Sequence, residues 1–143
     1  MSRWQFYFFS LFALAAAVAD QLIKGALIHS LSLPLTVPVS PLINSRLALG
    51  LPVPFPSAVL LGILAICAVM FGALGLTAFR EREFTAATAW LWLTLGTLGN
   101  FLDRLMVGGV VDYLPFFNWT KFNLSDALIV GGVVALIVVK RRS

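Results

Sequence analysis

Ser57–Phe79 reads SAVLLGILAICAVMFGALGLTAF, 23 residues without a single charge. About 20 predominantly apolar residues in a helix cover the hydrocarbon core of a bilayer. The pattern recurs on both sides. Apolar segments occupy residues 4–28, 57–79, 84–105 and 122–139, with connecting loops 29–56 and 106–121 and a tight charged turn at Arg80–Glu83. The 143 residues are 60% hydrophobic and 11% charged, with mean hydropathy +0.97. Soluble domains carry about 25% charged residues, so the apolar surplus here has to face lipid. The pattern predicts an all-α membrane protein of four transmembrane helices forming one domain, residues 1–143. Loop 29–56 is rich in proline and β-branched residues, which predicts short strands and turns.

Orientation follows the cations. Arg3, Arg80, Arg82, Lys140, Arg141 and Arg142, six of the ten, fall on the side of the two termini. Lys24, Arg46, Arg104 and Lys121 fall on the other. Positive charge marks the cytoplasmic face, so both termini are expected there. Asp20, Asp103, Asp112 and Asp126 gather near the outer face, and Glu81 and Glu83 partner the arginines of the cytoplasmic turn. Basic residues at the ends of apolar runs, rather than on one wet face, argue against nucleic-acid binding. Arg3, an apolar run and Ala17–Asp20 imitate a secretory signal with cleavage after Ala19. The apolar run resumes at Leu22, however, so an intact first span is expected.

One cysteine, Cys67, and one histidine, His29, leave no disulfide framework and no Cys or multi-His metal site, so neither metal nor cofactor is expected. The polar residues concentrate instead in Gly99–Gly132, which holds Asp103, Asp112, Asp126, Asn100, Asn118 and Asn123. Charges within spans are costly and need a named partner. Asp20 and Lys24 stand four apart on one helical face in the favourable order for an ion pair, serving neutralisation near the interface or substrate positioning. Asn123 with Asp126 three residues on resembles a capping box. Asp112, near glycine and proline, suits a turn, and Asp103–Arg104 suits an interfacial ion pair. Each plain role is adequate alone; together they leave three acids incidental on one face of a chain with six.

Two carboxylates sharing a proton supply a chemistry that needs no metal or activated nucleophile. One takes a proton from water while the other donates to the scissile carbonyl, because neighbouring carboxyls cannot both ionise. Ser125 and Ser45 lack a histidine partner. A Ser–Lys dyad with Lys121 or Lys24 has no supporting motif. A hard cation such as Mg²⁺ held by Asp112, Asp126 and asparagine oxygens would be without a phosphate-binding loop.

These residues resemble the lipoprotein signal peptidases, also called signal peptidase II, bacterial intramembrane aspartic proteases, over nearly the whole chain. The family's D-Q-x-x-K appears as Asp20, Gln21 and Lys24. Its G-N-x-x-D-R…G-x-V-x-D-[FY] block appears as Gly99, Asn100, Asp103, Arg104, Gly109, Val111, Asp112 and Tyr113. Its F-N-x-[AS]-D block appears as Phe122, Asn123, Ser125 and Asp126. The family's N-x-G-x-A-F-[GS] motif is only partly kept. Asn44, Ala48 and Gly50 match, whereas Arg46 and Leu49 replace its glycine and phenylalanine.

The resemblance implies Asp112 and Asp126 as the catalytic pair. It implies Asn100, Arg104 and Asn123 as polar neighbours that orient the pair and bind substrate backbone or lipid carbonyls, with Asn44 on a small extracytoplasmic β-rich cradle after the first helix. Asp20, Lys24 and Asp103 would support. It further implies a lipidated prolipoprotein substrate, cut before its diacylglyceryl-modified cysteine, and cyclic-peptide inhibitors of the family as ligands. The setting would be the bacterial cytoplasmic (inner) membrane, with a monomer embedded in phospholipid. Phe116–Phe117 and Trp119 suit an interfacial lid. Two rivals remain at this stage. One is a non-catalytic scaffold of the same fold. The other is a small transporter with Asp20, Lys24 and Asp126 as a relay, although a relay needs stations across the whole thickness.

Overall fold

The computed structural model describes residues 1–28, 41–45, 56–116 and 120–141. The expectations for His29, Arg46, Ala48, Leu49, Gly50, Phe117, Asn118, Trp119 and Arg142 lie outside the described residues. Four helices, α1 (Arg3–Ile28), α2 (Ser57–Arg80), α3 (Phe84–Val107) and α4 (Leu124–Lys140), follow the four apolar segments to within two residues at each end. Four short strands, β1 (Leu42–Asn44), β2 (Val110–Asp112), β3 (Leu114–Phe116) and β4 (Thr120–Phe122), lie between them. β1 pairs antiparallel with β2, Leu42 opposite Asp112, and β3 pairs with β4, Leu114 opposite Phe122. Three of these strands come from the segment between α3 and α4, where the sequence suggested a turn at Asp112. Asp112 is accordingly a strand residue, because β1 returns from the first loop to pair with it.

The α2–α3 turn is set by its backbone. The Glu83 N–H donates to the Ala78 carbonyl (2.8 Å) and the Arg82 N–H to that of Phe79 (3.1 Å). This is the double closure of a Schellman turn, with Arg82 (φ 63°) in the left-handed position usually given to glycine. α3 ends on a glycine in that role, Gly108 at φ 75°.

α3 is the central helix, packed against α4, α2 and α1. Its buried face is mostly small, with Ala86, Ala87, Ala89, Gly96, Thr97 and Gly99, which lets backbones approach as membrane helix pairs do. A Cβ on Gly96 would strike the Ser125 carbonyl and come 2.7 Å from Ile129 Cγ1 on α4. A Cβ on Gly132 would come 2.8 Å from the Ala89 carbonyl. α2 is the opposite case. Only Leu60, Ala68 and Ala78 are buried on it, while Ile66 and Val69 are 68% and 74% exposed. A helix that is apolar all round needs an apolar surround. α1 and α2 are long and apolar enough to cross a membrane; α4, at 17 residues, is shorter.

The two ends of the bundle differ chemically. At one, Phe6, Phe79, Trp90 and Val139 close over Ala78, Ala86 and Ala87, with the Phe6 and Phe79 rings 5.1 Å apart. That end carries Arg3, Arg80, Arg82, Lys140 and Arg141 on the helix termini. The buried polar residues, apart from Thr88 and Thr97 on α3, collect at the other.

Candidate active site

Residue by residue, that polar end is built from five elements. Asp112 closes β2 and is 2% exposed, with its carboxylate gripped from both sides. Asn44, at the end of β1, donates its amide to Oδ2 at 3.1 Å, and Asn123 donates to Oδ1 at 2.8 Å. Asn123 is the N-cap of α4. Its Oδ1 accepts the Asp126 backbone N–H at 2.9 Å, leaving its Nδ2 to reach Asp112 and, at 3.4 Å, the Asn100 Oδ1. The capping role expected of Asn123 is therefore met by its oxygen, while its nitrogen holds Asp112.

Asp126 stands in the first turn of α4, where the helix N-terminus favours negative charge. Its Oδ1 accepts from Asn100 Nδ2 at 2.7 Å. Asn100, on α3, also accepts Arg104 Nη1 at its backbone carbonyl, 3.4 Å away. The two carboxylates face one cleft of about 780 Å³, lined also by Asn44, Asn100, Arg104 and Lys121 and walled by Leu60, Leu64, Phe116 and Val130. Burial raises the Asp112 carboxyl above its ordinary value of 3.8. The Asn44 hydrogen bond opposes this and the Asp126 charge adds to it. An acid so placed keeps its proton to higher pH than a free aspartate.

The remaining predicted residues sit behind the cleft wall. Lys24 Nζ lies 2.6 Å from Asp20 Oδ2 and 2.7 Å from Asp103 Oδ2, with all three side chains at most 3% exposed. The sequence suggested Asp103 with its neighbour Arg104; in the fold Asp103 binds Lys24 and accepts the Val111 N–H at 3.1 Å. Asp20 accepts three further donors: the Tyr113 hydroxyl (2.8 Å), the Leu124 N–H (3.0 Å) and the Ser125 hydroxyl (2.6 Å). Burial, and next the bond to Asp20, push the Tyr113 phenol far above its ordinary 10, so it stays a donor. Lys24 lies between two carboxylates and Ser125 donates to Asp20, so these two do not form a Ser–Lys dyad. Among the described residues, no group of three or more His, Cys, Asp or Glu is arranged to hold a metal ion.

Three members of this assembly were read in the sequence as motif residues without a supporting role. Gln21 donates to the Gly99 carbonyl (3.4 Å) and to Asp103 Oδ1 (3.3 Å), while Tyr113 and Ser125 hold Asp20. The signal was present, because each stands beside a predicted site residue in a motif.

Comparison with known proteins places this arrangement. The fold is that of bacterial membrane enzymes. One solved chain so described superposes with TM-score 0.74 at 19% identity, covering 98% of this chain and 89% of that one. A second gives 0.66 at 19%, covering 96% and 92%. Residues 12–140 match the family model of signal peptidase (SPase) II, and the chain belongs to that family. It is 29% identical over 156 residues to the lipoprotein signal peptidase of Bartonella quintana, covering 99% of this chain and 91% of that protein. It is 34% identical over 80 residues to the lipoprotein signal peptidase of Xanthomonas euvesicatoria, a match spanning 50% of this chain and 46% of the relative.

Proposed function

We propose that this peptidase, which by its family removes signal peptides from prolipoproteins, cuts with Asp112 and Asp126 as an acid/base pair. One observation carries the assignment: both carboxylates line one cleft and are held there by asparagine amides, Asp112 by Asn44 and Asn123 and Asp126 by Asn100. With one proton between them, the ionised member takes a proton from a water molecule. That water attacks the scissile carbonyl as the protonated member donates to the carbonyl oxygen. Collapse of the tetrahedral intermediate passes a proton from one acid to the leaving amine while the other acid takes one back from a hydroxyl of the gem-diol, which regenerates the singly protonated pair. The two acids titrate as a unit. Asn100, Asn44 and Asn123 hold the carboxylates, and Arg104 stands at the cleft for a substrate carbonyl.

The finer setting belongs to the same proposal. All four helices cross the cytoplasmic membrane of a bacterium, with both termini inside and the pair near the extracytoplasmic face. The cationic termini clustered opposite the acids support this orientation. A single domain acts as a monomer. The substrate is a lipidated prolipoprotein, cut before its diacylglyceryl-modified cysteine, and the greasy cleft wall supports a ligand with acyl chains. The family's cyclic-peptide inhibitors would compete there. The test is cleavage of a lipidated precursor in proteoliposomes. Asp112→Asn and Asp126→Asn each abolish turnover while the chain stays folded, and undiminished cleavage by either sinks that residue's assignment.

A further inference from the structure

We propose that the buried Asp20–Lys24–Asp103 cluster is a positioning clamp that sets the separation of Asp112 and Asp126, an inference that rests on their role as the acid/base pair. None of the three lines the cleft, so none is placed to touch substrate there. What they hold is the backbone and side chains around the pair. Asp103 accepts the Val111 N–H and Asp20 accepts the Tyr113 hydroxyl, which brackets Asp112 on both sides. Side chains alternate along an extended strand. Tyr113 can therefore point to α1 while Asp112 points to Asn44 and the cleft. Asp20 also accepts the Leu124 N–H and the Ser125 hydroxyl, the two residues before Asp126.

Lys24 joins the two halves, at 2.6 and 2.7 Å from the two carboxylates. The cluster holds two acids and one cation. Donors from Gln21, Val111, Tyr113, Leu124 and Ser125 also reach the two carboxylates. Lys24 Nζ contacts both acids by charge without an aligned hydrogen bond, and the hydrogen bonds from those five residues tie the cluster into a buried polar network that resists displacement. One carboxylate, Asp20, thus grips a residue beside each member of the pair, and α1 carries the gauge for a distance measured between β2 and α4. In reacting sites a displacement of about 1 Å costs on the order of 100-fold in rate.

Tyr113→Phe is the least invasive test, since it deletes one hydroxyl and keeps a ring that is 5% exposed. Asp103→Asn, which weakens the Lys24 link, is the second. Each is assayed on a lipidated precursor in proteoliposomes across pH, with folded enzyme quantified. The charged groups about the pair are Asp20 and Lys24 from α1, Asp103 and Arg104 from α3, and Lys121 from β4. A clamp predicts that kcat per folded molecule falls about 10- to 100-fold with KM little changed. It also predicts a narrower pH–rate bell, because carboxyls held farther apart split their proton affinities less.

A purely structural role lowers the folded fraction and leaves bell width and kcat per folded molecule alone. That result in Tyr113→Phe overturns the clamp even if Asp103→Asn fails to fold. Asp112→Asn, run in parallel, separates the two ideas. Turnover surviving there defeats the acid/base reading itself, whereas turnover abolished there with both clamp variants at wild-type behaviour defeats the clamp alone.

Discussion

Asn123 offers a separable perturbation because its two side-chain ends do different work. The oxygen caps α4 through the Asp126 N–H at 2.9 Å, and the nitrogen donates to Asp112 at 2.8 Å from a site with no solvent exposure. Serine caps helices about as well as asparagine but has no amide to send onward, whereas alanine does neither. A hydrogen bond to a charged acceptor contributes about 1.5–3 kcal/mol, and a cap about 1 kcal/mol. Asn123→Ser should therefore lose about 1.5–3 kcal/mol of whatever Asp112 gains from the amide, seen as roughly 10- to 150-fold in kcat/KM. Asn123→Ala should lose a similar amount of activity and about 1 kcal/mol more stability than serine. The amide also holds the Asp112 carboxyl down against burial. Both variants should therefore shift the pH–rate bell upward. The assay is cleavage of a lipidated precursor across pH, paired with denaturant unfolding in detergent. Serine at full activity, or serine and alanine equally stable, refutes the division of labour.

Other outcomes follow from the same geometry. Gly96→Ala drives a methyl into the Ser125 carbonyl and Ile129, and should cost about 1–3 kcal/mol by overpacking, read as a lower unfolding midpoint together with weaker cleavage. Gly62→Ala is its control. A Cβ there meets nothing within 4 Å, and it should gain about 0.5–1 kcal/mol; equal losses at both sites would mean that α3–α4 proximity is not the cause. Stability should also carry the signature of Asp112. Its carboxyl is raised above 3.8 in the folded chain, so the folded state binds the proton more tightly than the unfolded one. Stability from this group is greatest below the unfolded value, and it declines as pH climbs to the folded value. Asp112→Asn removes that decline, so its melting temperature relative to the parent should be higher at pH 7 than at pH 4. A difference that runs the other way would contradict the raised carboxyl.

Helix positions were legible in the sequence because they depend on local hydropathy. An uncharged run such as Ser57–Phe79 has one low-energy answer in lipid, a helix satisfying its own backbone, and the observed α2 adds only Arg80. The candidate site residues were legible in part for the opposite reason. An acid in so apolar a chain is conspicuous, which singled out Asp20, Asp103, Asp112 and Asp126, and motif resemblance assigned the pair. What each acid touches was not legible. Asp103 looked to the adjacent Arg104, yet its ammonium partner comes from 79 residues earlier, on a helix that local spacing could not place beside it. Asp112 read as a turn residue because its strand partner, Leu42, lies in a proline-rich loop whose pairing no local pattern announces.

The chain by itself determined where helices begin and end and which residues cannot be idle, because burial and desolvation act on each side chain where it stands. The tertiary structure alone decided which amide faces which carboxylate, and that the first helix reaches both ends of the site. Those facts depend on distances between segments far apart in the chain, fixed by the small-residue seams that let α3 sit close to α4.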